Sequence, residues 1–254
     1  MDIHELLPIP DIFDCKRLLC VQPHPDDMDV SAGGTIARLA QQGTEVIYLT
    51  VTDDTAGFAD TSMEDPRERR DLRRREQEAA GEMLGVKEYR WLDFPDAGDW
   101  SVYDARNRIM DQIRDLRPDF VMTVDPWLLY EAHRDHVKTG RAACEALVMY
   151  NMPFINTGIR ERRRFEPFDI MGLALVWSNR PNTVVDATGT RELKLAAIAA
   201  HRSQFDPAFL ELFTAYDLMR GQKAAEGKGF GYGEPFKVLH PQYMLHSFPE
   251  AADY

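Results

Sequence analysis

Short apolar, β-branched runs alternate with helical stretches along this chain, and that alternation leaves few folds open. Residues 18–21, 45–52, 89–92, 120–124, 172–177 and 183–185 read as strands. Residues 31–43, 65–84, 104–116, 136–150, 191–201 and 207–220 read as helices. Ser31 stands where it can cap the first helix and Gly43 where it can end it, while Gly85 and Pro118 stop the next two. Such a β-α-β-α succession predicts an α/β fold of the Rossmann-like, three-layer kind. Its sheet is mostly parallel, with strand order 3-2-1-4-5 plus C-terminal additions. The 254 residues suit a single domain over 1–254 that buries its core without staples. An irregular insertion is expected near 151–170 and a C-terminal extension near 221–254, whose glycine- and aromatic-rich tail reads as irregular or edge structure. Gly33-Gly34 lacks the rest of a Gly-x-Gly-x-x-Gly phosphate loop and reads as close helix–strand packing.

Two segments carry the chemistry. His24-Pro25-Asp26-Asp27 follows the first strand, and His133-Arg134-Asp135-His136 follows the fourth. In an open α/β sheet, ligands bind beyond the carboxyl ends of the strands, where the strand order reverses. Order 3-2-1-4-5 makes strands one and four neighbours at that reversal, so both motifs open into one crevice. Two imidazoles and one carboxylate suit a catalytic Zn²⁺ with an open fourth position, and His24, Asp27 and His136 are the candidate ligands. Asp26 is then free to take a proton from water as general base, and His133 to stabilise an oxyanion or protonate a leaving amine. Asp135, between the histidines, can orient one of them. Each motif alone is an ordinary turn or helix start; their convergence is what points to metal-dependent amide hydrolysis.

Composition narrows the partners. With 30 Lys and Arg against 42 Asp and Glu, the net charge of -12 disfavours nucleic acid and anionic membrane surfaces and suits a small neutral or cationic substrate. The mixed charges around residues 67–75 read as a solvated helix face. No apolar run approaches the roughly 20 residues of a membrane span. The start, Met-Asp-Ile-His-Glu, lacks the regions of a signal peptide, and three irregularly spaced cysteines give no disulfide framework. A soluble cytoplasmic protein is expected. Trp127 and Tyr130, between the fourth strand and the second motif, are candidates to line the pocket; Trp100 is read as core or as a sugar platform, and His201 as a hydrogen-bonded structural histidine. A flavodoxin-like domain with a Mg²⁺ site at Asp26 and Asp27 is disfavoured by the two histidines, because Mg²⁺ prefers oxygen.

With these motifs in place, the chain resembles the PIG-L/LmbE-like N-acetylglucosamine deacetylase family, and within it the diacetylchitobiose deacetylases. The resemblance is carried by residues 21–52, by 125–136, and by RRREQEAAGEMLGV (73–86), LDFPD (92–96), LKLAAIAAHRSQF (193–205) and GYGEPFKV (231–238). It implies zinc on His24, Asp27 and His136, Asp26 as base and His133 at the oxyanion. It implies sugar contacts from Arg73 and Asp96, a His246 that reaches a neighbouring subunit's pocket, and a homo-oligomer, trimer or hexamer. It implies removal of acetate from N-acetylglucosamine or N,N'-diacetylchitobiose; a conjugated amino sugar, or a non-catalytic sugar-binding relative, is the alternative. Two positions depart from the family pattern: Arg134 replaces a proline, and Met28 stands where Glu often follows the Asp pair.

Overall fold

Five of the six residues of β1 (Arg17–Gln22) are buried, as in a strand covered on both faces. In the computed structural model, which describes residues 3–158 and 166–254, β2 (Glu45–Thr52) and β4 (Phe120–Val124) flank it in parallel. β3 (Glu88–Phe94) pairs with β2 and β5 (Gly172–Val176) with β4, again in parallel. β7 (Gly233–Leu239) runs antiparallel between β5 and β6 (Thr183–Asp186). The order is β3-β2-β1-β4-β5-β7-β6. The expected 3-2-1-4-5 core is therefore present, and the C-terminal additions continue it.

Side chains alternate along the strands, so each face has its own core. On one face Leu18, Cys20, Met122 and Val176 meet α2 (Asp27–Gln41), α3 (Pro66–Leu84) and α6 (Arg191–Ala200) through Ile36, Leu84 and Ala197. On the other, Leu19, Val21, Leu49 and Leu175 meet α4 (Val102–Leu116) and α5 (Arg134–Met149) through Ile109, Ile113 and Leu147. α1 (Ile3–Leu6), α7 (Pro207–Ala225) and α8 (Pro241–Met244) complete the helices. Among the described residues no helix is long and apolar enough to cross a membrane. Cys15, Cys20 and Cys144 are free and buried.

Four local expectations change. Ser31 does not cap α2: the helix begins at Asp27, and the Ser31 hydroxyl donates to the Asp27 carbonyl 2.6 Å away. The tail is not edge structure at residues 233–239, because β7 is clasped from both sides and by α2. Its Glu234 accepts from the Gly34 and Thr35 backbone N–H groups, at 3.1 and 2.6 Å, and from Lys194 Nζ at 2.9 Å. Such a satisfied buried carboxylate fixes strand against helix. Gly34 permits this approach, since a Cβ there would lie 2.8 Å from that of Ala187, but Gly33 faces Lys194 of α6, a helix–helix contact. The helix opened by Pro207 runs on to Ala225. In the expected insertion, residues 151–158 and 166–170 carry neither helix nor strand, and 159–165 lie outside the described residues.

Candidate metal-binding active site

β1 and β4 are parallel neighbours, so the chain leaves both at the same edge of the sheet. After β1 it turns sharply at Asp26, whose backbone is left-handed at φ 105. For a residue other than glycine this stores strain of about 1–3 kcal/mol and needs support. The support is local: the Asp26 N–H donates to Gln77 Oε1 at 2.9 Å, and its Oδ2 accepts from Arg73 Nη2 at 2.7 Å. α2 starts at the next residue and α5 starts at Arg134. The motif side chains thus gather at two helix N-termini, where the backbone dipoles favour the carboxylates of Asp26 and Asp27.

A cleft of about 330 Å³ opens there, lined by His24, Asp26, Asp27, His133 and His136 together with Asp54, Asp96 and Gln204. The two Asp27 oxygens face imidazoles, Oδ2 at 3.3 Å from His24 Nδ1 and Oδ1 at 3.4 Å from His136 Nε2. Two ligands of a tetrahedral ion bound at about 2.0–2.1 Å lie about 3.3–3.4 Å from each other, so these separations suit a cation. His24, His133 and His136 each offer a nitrogen within 4.8 Å of the others, and His24, Asp96 and Asp135 form a second such group. His24 Nε2 is buried without a hydrogen bond, although Asp96 Oδ1 is 3.2 Å and Asp135 Oδ2 3.6 Å away. One ion can take only one nitrogen of this ring: with Nδ1 turned to the cation beside Asp27, Nε2–H is left between Asp96 and Asp135, carboxylates that would fix the ligating tautomer.

Electrostatics separates the roles. Burial pushes the Asp26 carboxyl up to about 7, with Arg73 pulling it down and Asp27 pushing it up. Burial also acts on Asp27, but the imidazoles of His136 and His24 outweigh it and hold the group below its ordinary value. For His24, burial opposes the charge, yet Asp135, Asp27 and Asp96 together raise the ring well above the usual histidine range. His133 moves the other way, lowered by burial and then by His24 and His136. Two adjacent aspartates thus differ, one poised to exchange a proton near neutrality and one fixed as an anion.

Of the remaining sequence candidates, Asp96 lines the cleft and accepts the Ala56 N–H at 2.8 Å. Asp135 is buried, accepting the Ala97 N–H at 2.8 Å beside His24. Arg73 does not face the cleft: it is 1 % exposed and its five donors are all engaged. They reach Asp54, Glu76, His201 Nδ1, the Pro25 carbonyl and Asp26. Its guanidinium holds Asp26 rather than offering itself to a sugar. A guanidinium only donates, so His201 Nδ1 accepts and its Nε2–H donates to Asp29, 2.8 Å away. Trp127 and Tyr130 are exposed and lie outside the described cleft lining, as does His246. Trp100 is buried in the core. Asp54, Gln204 and Glu131 went unread in the sequence. Asp54 carries a signal, since it follows the end of β2 at the same sheet edge; Glu131 and Gln204 carry only their place inside the segments 125–136 and 193–205.

Residues 19–147 match the PIG-L family, described as GlcNAc-PI de-N-acetylase. The chain is 34% identical to the diacetylchitobiose deacetylase of Thermococcus kodakarensis over 239 residues, covering 94% of this chain and 88% of that one. It superposes on the N,N'-diacetylchitobiose deacetylase of Pyrococcus horikoshii in complex with an inhibitor, with a TM-score of 0.88 and 34% identity over 98% of this chain and 92% of that one. A 4-carboxy-2-hydroxymuconate hydratase from Pseudomonas putida shares the fold at a TM-score of 0.74 and 24% identity, over 88% of this chain and 96% of the hydratase. The same scaffold therefore carries a different reaction there, and the site rather than the fold must decide the chemistry.

Proposed function

Because the chain belongs to the PIG-L family, we propose that it is a zinc-dependent N-deacetylase that hydrolyses the acetamide of an N-acetylglucosamine-type sugar, N,N'-diacetylchitobiose or N-acetylglucosamine itself. The observation that carries this reading is the meeting of His24, Asp27 and His136 with a spare carboxylate, Asp26, at the wall of the same cleft. The ligands are His24, Asp27 and His136. Bound there, zinc supplies Lewis acidity to the amide carbonyl and to the attacking water. Asp26, held by Arg73, takes the proton as the water oxygen bonds to the acetyl carbon. His133, kept neutral by its depressed pKa, donates its N–H to the carbonyl oxygen as negative charge develops. Asp26 then passes its proton to the nitrogen as the C–N bond breaks, leaving acetate and an amine.

Asp26, Asp27, Asp54 and Asp96 line the cleft, with no Lys or Arg among the described lining residues. That supports an uncharged sugar over an anionic conjugate, and the position of Asp96 in the lining supports its reading as an acceptor for sugar hydroxyls. The exposed Leu212, Tyr216 and Met219 of α7 support assembly as a trimer or hexamer. His246, exposed on its own subunit, serves a neighbour's cleft in that arrangement, and a native mass measurement tests it. The buried free cysteines support a cytoplasmic setting. The decisive experiment is acetate release from the two sugars by zinc-loaded and chelator-treated protein. Turnover that depends on zinc is expected; no acetate from either sugar with zinc bound would end this reading.

A further inference from the structure

The carboxylate of Glu131, on the loop between β4 and α5, touches both histidines of the second motif. Its Oε1 accepts the His133 backbone N–H at 2.6 Å, and its Oε2 lies 3.2 Å from His136 Nδ1. A carboxylate only accepts, so Nδ1 of His136 carries the proton and Nε2 keeps the lone pair. Nε2 is the atom that faces Asp27 Oδ1 at 3.4 Å. The ring is fixed from other directions as well. Trp177 stacks on it with centroids 5.5 Å apart and planes 13° apart, and His133 stacks at 4.6 Å and 21°. Trp177 does so from a left-handed backbone at φ 56, uncommon for so bulky a residue. The Glu131 side chain is 18 % exposed, so its charge acts on the imidazole with limited screening.

We propose that Glu131 is a positioning residue of the metal site, selecting the tautomer of His136 that turns Nε2 to the metal and raising that nitrogen's basicity. The inference rests on the reading of His136 as a ligand. Carboxylate partners of ligating histidines act in this way, and their loss weakens metal binding about 10–100-fold. A simpler role exists for the same side chain. His133 is the N-cap residue of α5 and has no side-chain cap bond, so Glu131 also ties down the start of that helix. A helix tie affects folding; tautomer selection affects zinc.

The test is the zinc dissociation constant, by competition with a chromogenic chelator, for the wild type, Glu131→Ala, Glu131→Gln and His136→Ala, with thermal unfolding of each metal-free protein. Glu131→Ala should weaken zinc about 10–100-fold, beyond any change in metal-free melting temperature. Glu131→Gln, which retains an acceptor without the charge, should fall between it and the wild type, and His136→Ala should lose zinc. Zinc affinity in Glu131→Ala within about twofold of the wild type, with His136→Ala zinc-free, would overturn the positioning role and leave the metal site standing. Full zinc binding by His136→Ala would remove both. If Glu131→Ala does not fold, unchanged affinity in Glu131→Gln overturns the proposal in its place.

Discussion

Asp26 combines a left-handed backbone, a bond to a buried guanidinium and a seat at a helix N-terminus. Its replacement should be specific. Asp26→Asn keeps the shape and removes the proton acceptor, so turnover should fall about 100- to 10,000-fold while elemental analysis still finds zinc. A base with its carboxyl raised to about 7 is ionised above that pH. The kcat/KM profile should therefore rise with pH along an acid limb at or below about 7, lower still if a nearby cation favours the anion. Arg73 pulls Asp26 down, so Arg73→Gln should move that limb upward. The same change leaves Asp54 and Glu76 without their counter-ion and should cost about 3–5 kcal/mol in denaturant unfolding. Linkage gives a further sign. The folded carboxyl is raised from 3.8 to about 7, so folding favours the protonated form. This group's contribution to stability is then full below the unfolded value and is lost as pH rises to about 7. Metal-free Asp26→Asn has no such loss and should melt above metal-free wild type at pH 8; a lower melting temperature would show that the bond to Arg73 outweighs burial. At this scale the motifs themselves were legible, because a histidine-and-aspartate cluster after a strand has a chemical meaning. The destination of Arg73 was not, since a long side chain on a charged helix shows the same sequence whether it faces solvent, sugar or a buried carboxylate.

The elements hold the site through close backbone contacts. Gly140, one turn beyond His136 on α5, lets that helix cross the end of β4. A Cβ there would lie 2.6 Å from the Val124 carbonyl oxygen and 3.0 Å from Pro126. Gly140→Ala should force the helix outward, at about 1–3 kcal/mol of stability, and carry His136 away from Asp27. Denaturant unfolding and zinc titration check the two halves, and lost stability with intact zinc affinity would mean that the strain is relieved elsewhere. Most elements were readable from periodicity: α3 runs from the Asp65 cap to Gly85 at φ 87, as its punctuation indicates. α2 starts before Ser31, a good cap by type, because Asp26 serves as its N-cap without any side-chain cap bond. The interior place of β7 is not legible in the sequence. Its antiparallel place between β5 and β6 depends on pairing with β5 across more than sixty residues and on the Glu234 clasp, and neither leaves a local period.

Across the whole molecule, two apolar cores on opposite faces of the sheet contain none of the candidate metal ligands. Metal removal should therefore abolish activity without unfolding the protein at 25 °C. Zinc at 100 times its dissociation constant should add about 2.7 kcal/mol and raise the melting temperature, and a chelator should reverse the shift. Unfolding on chelation would instead make the ion part of the fold. What the sequence determined by itself was the class of fold, whose usual strand order makes the first and fourth strands neighbours, and the two motifs at their ends, because hydrophobic period and strand-end chemistry are written locally. What the tertiary structure alone decided was which side chains meet. Arg73 turns to Asp26, Glu131 turns to His136, and β7 enters the sheet because each contact is chosen by partners distant in the chain or hidden in a loop, where distance and burial set the energy and local pattern carries no record of either.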